Sequence, residues 1–393
     1  MTKRNDPDRY PVRLFLSLLP VLPLAMAAQP APVVRWRTTL TIGDETDERA
    51  AELGKVFGLA TDSAGNIYVA DIDNAFLVVF GPDGRFRGQV GRKGRGPGEF
   101  QGPSGLVIDA RQRLWVRDTE RISRFVRDPR TGLLARYDTA FTQPVFPDWY
   151  NARASRVAAN GDYLHPAPSA AVGAQQRVLR YNARGTLAES LTVPRRPNET
   201  AGYARFAVSE NSGRMLRGLD VPPFTARPSW DVTPRGTILS TGGDRYEIQE
   251  TDASGRVLRT IVRPVAPVPI VAAERAESLA AMNRRIDSIP VPLSKVEGMS
   301  DDVRARRLPT QYPAIQSLFA PPDGTTWVRR WAGAAQRGTS VFDVFDANGR
   351  MQHTVILPAV ILDAPTPVLH ARSVIAAVED RATGGIRLMR FEP

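Results

Sequence analysis

Few side chains in this sequence could do acid–base or metal chemistry. The chain has no cysteine and three histidines, His165, His353 and His370. Disulfides, thiolate metal sites and thiol nucleophiles are therefore excluded. The histidines share no metal-ligand spacing, and neither His-Glu-x-x-His nor Gly-x-Ser-x-Gly occurs. His165 begins a predicted loop at 165–176, where we expect a surface histidine rather than a catalytic base.

Four oxygen-bearing side chains are candidates for calcium binding. They follow predicted second strands of a repeated unit, which would bring their oxygens to one edge. These weak candidates are Asp71, Asp73, Asn74 and Asp118. The alternative, which the sequence favours, is that these residues stabilise turns through bonds to nearby backbone amides. No other cofactor is predicted.

A glycine-rich loop at 91–98 contains three cations, Arg92, Lys93 and Arg95. A nucleotide-binding loop would need Gly-Lys-Ser/Thr opening a helix, or Gly-x-Gly-x-x-Gly between a strand and a helix. Here Lys93 precedes a glycine and the next predicted element is a strand. The loop is therefore predicted to connect two β units, and its cations could form the rim of an anion site.

Basic and aromatic residues recur in loops that a toroidal β fold would bring to one face. Aromatic side chains beside arginines suit a polyanion, a glycan or a peptide. The equally weighted alternative is that the tryptophans fill gaps between blades. The ligand-binding candidates are Arg92, Lys93, Arg95, Trp149, Tyr150, His165, Arg330 and Trp331.

One short pattern, written twice, organises the elements that would position these residues. Gly58-Leu59, Asp62, Ile67-Tyr-Val and Asp71 recur 47 residues later as Gly105-Leu106, Asp109, Leu114-Trp-Val and Asp118. Repeats of roughly 40 to 50 residues with short β runs and Gly/Asp turns are typical of β-propeller blades. Turns ending in Gly84, Gly185, Gly255 and Gly349 extend the pattern through the chain.

The predicted fold is all-β: a six-bladed β-propeller of four-stranded antiparallel blades. The last segment stops after the third strand of a blade, whereas residues 33–43 form an isolated strand at the other end of the chain. Pairing the two would close the ring and remove exposed sheet edges. We therefore predict that the N-terminal strand completes the last blade, within one domain spanning 28–393.

A partly helical insertion is predicted at 264–313, between blades four and five. Leu279, Met282, Ile286 and Ile289 share one face of a helix at 271–289. The insertion could cap exposed blade edges or form a lid over the channel mouth.

Residues 1–27 have the pattern of an export signal: a basic start, an apolar run from 14 to 25 and a small-residue cleavage site. The apolar run is too short to span a bilayer. We therefore predict an exported protein, periplasmic or extracellular, that is monomeric and has no transmembrane segment. The net charge of +11 favours anionic partners, but export disfavours nucleic acid.

The segment from Gly91 through Gly98-Glu99-Phe100 and Pro103 to Gly105-Leu106 and Trp115-Val116 closely resembles the NHL-repeat pattern. The match is specific over 58–126 and weak elsewhere. The chain also resembles exported six-bladed propellers of environmental bacteria. That resemblance implies the fold and leaves the activity open, because one propeller fold serves many functions. Related propellers include calcium-dependent lactonases, whose ligands find no residue-by-residue match here.

Two functions remain open from the sequence. The first is an exported, non-enzymatic propeller that binds a protein, peptide or anionic glycan through its loop-rich face. The alternative is a calcium-dependent, lactonase-like hydrolase with its site in the central channel. A hydrolase would need converging carboxylates or histidines with perturbed pKa values, whereas a binding protein needs an aromatic and basic patch.

Overall fold

The computed structural model describes residues 31–43, 53, 55–119, 121–143, 155–167, 175–194, 204–209, 215–220, 222–287, 308–333, 336–379 and 385–393. For 204–209 and 215–220 the description covers the backbone alone. The predicted signal at 1–27 lies outside these residues.

Two short strands precede the first blade: β1 (Val33–Arg35) and β2 (Arg37–Ile42). The first three blades then follow in chain order. They comprise β3 (Val56–Thr61), β4 (Ile67–Asp71), β5 (Phe76–Phe80) and β6 (Phe86–Val90); β7 (Gly105–Ile108), β8 (Leu114–Arg117), β9 (Arg121–Val126) and β10 (Arg136–Thr142); and β11 (Arg156–Val157), β12 (Tyr163–Pro166), β13 (Arg177–Tyr181) and β14 (Leu187–Thr192).

A two-stranded hairpin, β15 (Ala204–Ser209) and β16 (Met215–Asp220), separates blades three and four. The remaining blades and one helix follow. They comprise β17 (Ser229–Val232), β18 (Ile238–Thr241), β19 (Glu247–Thr251) and β20 (Val257–Val262); helix α1 (Ala272–Asp287); β21 (Ser317–Phe319), β22 (Thr326–Arg330), β23 (Ser340–Phe345) and β24 (Met351–Leu357); and β25 (Val368–His370), β26 (Ser373–Glu379) and β27 (Ile386–Glu392).

The chain is therefore a six-bladed β-propeller. Each blade is an antiparallel sheet in which consecutive strands pair, and the first strand is innermost. Inner strands of neighbouring blades approach one another, as between β3 and β7 and between β17 and β21. Apolar side chains fill the space between blades, with the large rings of Trp115, Trp327 and Phe391 almost fully buried. Burial of this apolar surface is the main force that holds the blades together.

Strand β2, six residues that precede the first blade, completes the last blade. Strand β2 pairs antiparallel with β27, so blade six consists of β25, β26, β27 and β2. Strand β1 instead pairs parallel with β24 and adds a fifth strand to blade five. The prediction of one strand over 33–43 was wrong in this respect, because the chain passes from one blade to the next at Trp36. That ring is 5% exposed and meets Trp327 edge to face at 5.9 Å.

The repeated Asp and aromatic residues form the same turn in blades one and two. Asp62 accepts hydrogen bonds from the amides of Ala64 and Asn66 and from the Tyr68 hydroxyl. Asp109 accepts equivalent bonds from two amides, and from the Trp115 indole N–H at 2.9 Å. A carboxylate that bonds its own turn fixes the first hairpin of these two blades, which explains why the same residue types recur there.

The insertion between blades four and five contains α1, close to the predicted helix at 271–289. Met282 and Ile286 are buried, and Leu279 packs against them. Ile289 lies outside the described residues. The two ends of the insertion are held together by backbone bonds, from Ile270 to Thr310 and from Tyr312 to Val268.

Candidate functional site

The two faces of the propeller differ in the loops that they present. In an antiparallel blade, the first-to-second and third-to-fourth strand connections lie at one end, and the remaining connections lie at the other. The first end holds tight turns such as 62–66 and 81–85. The second end holds the loop at 91–104, the insertion and the hairpin β15–β16. We call these ends the turn face and the loop-rich face.

Between these faces, three neighbouring cavities are lined by described residues of the inner strands and their connections. A pocket of about 260 Å³ opens near the loop-rich face, and a space of about 110 Å³ lies in the channel. The third, about 300 Å³, is lined mainly by apolar residues of the inner strands and extends to the turn face. Asp363 lines both the 260 Å³ pocket and the 110 Å³ space. Arg156 and Thr366 line both the 110 Å³ space and the 300 Å³ cavity. Neighbouring cavities thus share wall residues along the channel.

We call the 260 Å³ cavity the mouth pocket. It is lined by Pro223, Phe224, Thr225, Arg227, Ile315, Gln316, Trp331 and Asp363. These residues come from segments just before β17, β21 and β25 and just after β22. All four segments lie at the loop-rich end of their blades, so the pocket is built where consecutive inner strands begin.

Aromatic side chains form one wall of the mouth pocket. Trp331 stacks on Tyr312 with ring centres 5.2 Å apart, and Phe224 meets both rings at steep angles. Phe224 has a positive φ of 61°, a left-handed conformation that is uncommon for an aromatic residue. Strained backbone of this kind tends to occur at functional sites.

The insertion supports this wall from behind. Ile270, Leu308 and Tyr312 form a buried cluster with Phe224, and Leu279 of α1 and Trp331 pack against it. Burial and the neighbouring Glu274 carboxylate raise the pKa of the Tyr312 hydroxyl, which therefore stays neutral. The described part of the insertion thus fixes the orientation of the pocket's aromatic residues.

The polar residues of the mouth pocket give it a positive charge. Arg227 is exposed and forms no ion pair with any residue that the structure describes. Asp363 is neutralised by Arg329, whose Nη1 lies 2.6 Å from its Oδ1. Arg329 is 3% exposed and also donates to Ser340. One negative charge thus stands against two positive charges, so the pocket favours an anionic ligand.

An ion pair spans the channel beneath the pocket. Arg156 of blade three lies 2.5 Å from the Asp231 carboxylate of blade four. The same carboxylate accepts the Ala320 amide at 2.8 Å, so it also satisfies an inner-strand N–H of blade five. The pair separates the polar part of the channel from the largely apolar cavity below. Asp231 and Asp363, the carboxylates among the described residues that line the two upper cavities, are thus engaged by arginines.

The three cations of the loop at 91–98 lie exposed on the loop-rich face, apart from the residues of the mouth pocket. Arg92 pairs with Glu99 at 2.9 Å. The Gly96 amide and Arg92 lower the pKa of the Glu99 carboxyl. Lys93 forms a β-bridge with Phe100, and the Arg95 carbonyl accepts a bond from Arg121. The loop connects two blades, as the sequence predicts.

Of the other predicted ligand-binding residues, Trp331 lines the mouth pocket. Its neighbour Arg330 points elsewhere and pairs with the buried Asp343 at 2.9 Å. Trp149 and Tyr150 lie outside the described residues.

His165 is buried, contrary to the expectation of a surface histidine in a loop. It lies within β12 and is 1% exposed. The strand extends further than predicted because His165 and Pro166 still pair with β13. Burial, together with the positive charge of Arg117, lowers the pKa of His165 well below its usual value. The imidazole is therefore neutral at physiological pH.

A buried neutral histidine makes stability depend on pH. Below about pH 6.5 the unfolded chain binds a proton at His165 that the native state does not, so the free energy of unfolding falls as pH falls. We expect a slope of up to about 1.4 kcal/mol per pH unit from this residue. His165→Gln should reduce the slope measured by urea unfolding between about pH 7 and pH 5. His353→Gln, at a half-buried site, should change it less. Equal slopes in the wild type and His165→Gln would contradict the assignment.

The weak calcium candidates bind backbone amides and side chains. Asp71 accepts bonds from the amides of Asp73 and Asn74 and from the Asn74 side chain. The Asp118 carboxylate accepts the amides of Gln101 and Gly102. Within the described residues, no group of three or more His, Asp or Glu side chains is arranged to hold a metal ion.

Sequence reasoning missed Phe224, Arg227, Gln316 and Asp363. They lie in connections between blades, where no repeat or strand period marks them. Proline is adjacent to two of the four, Phe224 and Arg227, which signals an irregular connection but not a pocket. Only the ring geometry brings these connections together.

The match to a known family concerns the first third of the chain. Residues 46–122 match the model of the DUF5128 family, described as a 6-bladed β-propeller. No curated protein sequence is significantly similar to the chain.

Several solved structures resemble the chain at low sequence identity and with TM-scores below 0.5. Virginiamycin B lyase from Staphylococcus aureus has a TM-score of 0.41 and 13% identity over 90% of this chain and 98% of that one. The PQQ-bound aldose sugar dehydrogenase from Streptomyces coelicolor has a TM-score of 0.42 and 10% identity, covering 91% and 97%. A DUF4221 protein from Bacteroides vulgatus has a TM-score of 0.44 and 9% identity, covering 87% and 94%. None of these similarities bears on activity.

Among the described residues, no helix is both long enough and apolar enough to cross a lipid bilayer.

Proposed function

We propose that this protein is a non-enzymatic binding protein that takes an anionic glycan at the mouth pocket. The observation that carries the proposal is the pocket itself, in which the aromatic wall of Phe224 and Trp331 faces the polar side chains of Arg227, Gln316 and Asp363. Ligand sites combine apolar walls with a few convergent polar groups in this way.

The residues of the pocket match the chemistry of an acidic sugar. The apolar face of a sugar ring packs on an aromatic side chain, and its hydroxyls need donors and acceptors such as Gln316 and Asp363. A uronic acid carboxylate would pair with Arg227, the exposed cation of the pocket. The net positive charge of the chain, which remains positive without residues 1–27, would attract such a polymer over longer distances.

The test is calorimetric titration with a short uronic acid oligosaccharide and its neutral counterpart. The wild type should bind the acidic form more tightly, and added salt should weaken that binding because the Arg227 pair is exposed. Trp331→Ala should lower the affinity about 30-fold, as expected for truncation of an aromatic residue central to a site. Arg227→Ala should remove the preference for the acidic form.

Arg85→Ala supplies the matched control, since Arg85 is an exposed arginine on the turn face. It should bind like the wild type. If Trp331→Ala, with an unchanged melting temperature, bound as tightly as the wild type, the pocket would not be the binding site. Preferential binding of an acidic peptide would retain the site and change the ligand class.

The alternative of a calcium-dependent hydrolase remains a second proposal without a supporting arrangement of described residues. Its carboxylates would have to come from the channel, where Asp231 and Asp363 are paired with arginines. A melting temperature that falls with chelator and recovers with calcium would favour it over the binding protein.

We also propose that the protein is exported and that its first two blades are NHL-type repeats. Export rests on the sequence of 1–27, and a reporter fused to residues 1–32 should leave the cytoplasm. The repeat rests on 58–126, which overlaps the segment that matches the six-bladed propeller family. A glycan ligand is consistent with an exported protein, because acidic polysaccharides occur outside the cytoplasm.

A further inference from the structure

Arg117 is a buried arginine that has no counterion in the part of the chain that the structure describes. It ends β8, at the loop-rich end of blade two, and it is 6% exposed. Its guanidinium forms no ion pair and no hydrogen bond with any residue that the structure describes, and its Nε is buried without a partner. Other buried or half-buried arginines, such as Arg156 and Arg329, face a carboxylate.

Among the described residues, no neighbour of Arg117 supplies a compensating negative charge. The groups that interact with it electrostatically are His165 and Tyr163. Burial keeps the His165 imidazole neutral, and it raises the pKa of the Tyr163 hydroxyl to about 12, so that group is also uncharged. An isolated buried cation is strongly unfavourable unless an anion pairs with it.

A hydroxyl pair lies beside the guanidinium. The Tyr163 hydroxyl donates to Ser155 Oγ at 2.6 Å, and Ser155 is 1% exposed. This bond uses Ser155 Oγ as an acceptor, so its own proton is available to a further acceptor. A donor that is itself polarised by a hydrogen bond interacts more strongly with an anion.

Gly105 leaves room for this arrangement. A Cβ at position 105 would lie 3.3 Å from the Cβ and Nε of Arg117 and 3.6 Å from Ser155 Oγ. Arg117 and Ser155 therefore converge over the same glycine, between the inner strands of blades two and three. A Cβ there would crowd Arg117 and come into van der Waals contact with Ser155.

We infer that Arg117 and Ser155 form a buried binding site for a small oxyanion, the carboxylate or phosphate group of a ligand entering between blades two and three. The guanidinium supplies the charge and two parallel N–H donors, which match the geometry of either group. The Ser155 hydroxyl adds a third donor. The site is distinct from the mouth pocket, whose walls come from the segments before β17, β21 and β25 and after β22, and it does not depend on the proposed glycan.

The test is thermal unfolding of the full-length protein in increasing inorganic phosphate or acetate, at an ionic strength held constant with chloride. The wild-type melting temperature should rise saturably with phosphate, acetate or both, because a ligand of the native state stabilises it. The anion that acts at lower concentration identifies the class of ligand group. Arg117→Met should remove the response and, without added anion, melt at or above the wild-type temperature, because it removes an uncompensated buried charge.

Two further variants make the result specific. Arg113→Met removes an arginine of the same blade that is paired with Asp109 at 2.7 Å. It should melt below the wild type and keep the full anion response. Ser155→Ala should keep the response but shift its midpoint to about tenfold higher concentration, because one donor is lost.

Two results would overturn the inference. One is an equal anion response in the wild type and Arg117→Met, which would place the anions elsewhere on the basic surface. The other is a wild-type melting temperature that does not change with added anion, together with a lower melting temperature for Arg117→Met than for the wild type. That result would make Arg117 a structural residue.

Discussion

Deletion of residues 33–43 is expected to abolish folding to a soluble monomer. The deletion removes β2 from blade six and β1 from blade five, so both sheets gain an exposed edge. It also removes Trp36, which is buried against Trp327 and Phe391 in the cluster shared by blades five and six. Unpaired edges beside exposed apolar surface favour aggregation.

The deletion should be assessed by size-exclusion chromatography and thermal unfolding beside the point variant Trp36→Ala. Truncation of a buried tryptophan costs about 3–5 kcal/mol and leaves both strands in place. Trp36→Ala should therefore be folded, monomeric and less stable. A soluble, monomeric deletion variant with an unchanged melting temperature would show that the ring closes without these strands.

Asp343→Asn is expected to destabilise the protein by up to about 3–5 kcal/mol, the cost of breaking a buried ion pair, reduced to the extent that the two arginines are half-exposed. Asp343 is fully buried in β23 and accepts hydrogen bonds from the Tyr246 and Thr354 hydroxyls at 2.8 Å. It also pairs with Arg263 and Arg330. The neutral amide would leave both arginines without their counterion and place an N–H₂ group among donors.

The measurement is the free energy of unfolding in urea, with Asp83→Asn as the control. Asp83 lies in an exposed turn, 4.0 Å from Arg85, where an ion pair contributes about 0–1 kcal/mol. The control should therefore unfold almost like the wild type. If Asp343→Asn had the same free energy of unfolding as the control, the ion pairs of Asp343 with the two arginines would not stabilise the contact between blades four and five.

The repeated turns could be read from the sequence because they are local. Asp62 and Asp109 bond amides two and four residues away and an aromatic group six residues away, so spacing alone specifies the contacts. The turn glycines are similar, since Gly84 and Gly349 adopt positive φ angles of 79° and 77°. The blade count follows from such local signals.

Long-range contacts could not be read in this way. The division of residues 33–43 between two blades depends on partners more than 300 positions away, and alternation in sequence does not identify a partner. Arg330 and Trp331 are adjacent in sequence, yet one pairs with Asp343 and the other lines a pocket. His165 was predicted at the surface because it was placed in a loop after a second strand, whereas pairing with β13 continues through His165 and Pro166.

The place of the hairpin β15–β16 and the mouth pocket could not be read from the sequence either. Residues 204–220 contain an Asn-Ser-Gly turn signal at 211–213 between two β runs, but nothing in the sequence sets this hairpin apart from the blades. The pocket depends on four connections that are far apart in the chain and meet only after the ring has closed.

Hydrogen exchange with and without a short uronic acid oligosaccharide tests the central claim most directly. Bound ligand slows the exchange of amides that it covers or orders. We expect slower exchange at 222–227, 315–316 and 331–333, the segments around the mouth pocket, and unchanged exchange in the turns at 62–66 and 81–85. Two results would contradict the proposal that this pocket binds an anionic glycan. One is slower exchange only at the turn face, and the other is no change in exchange at a high concentration of the oligosaccharide.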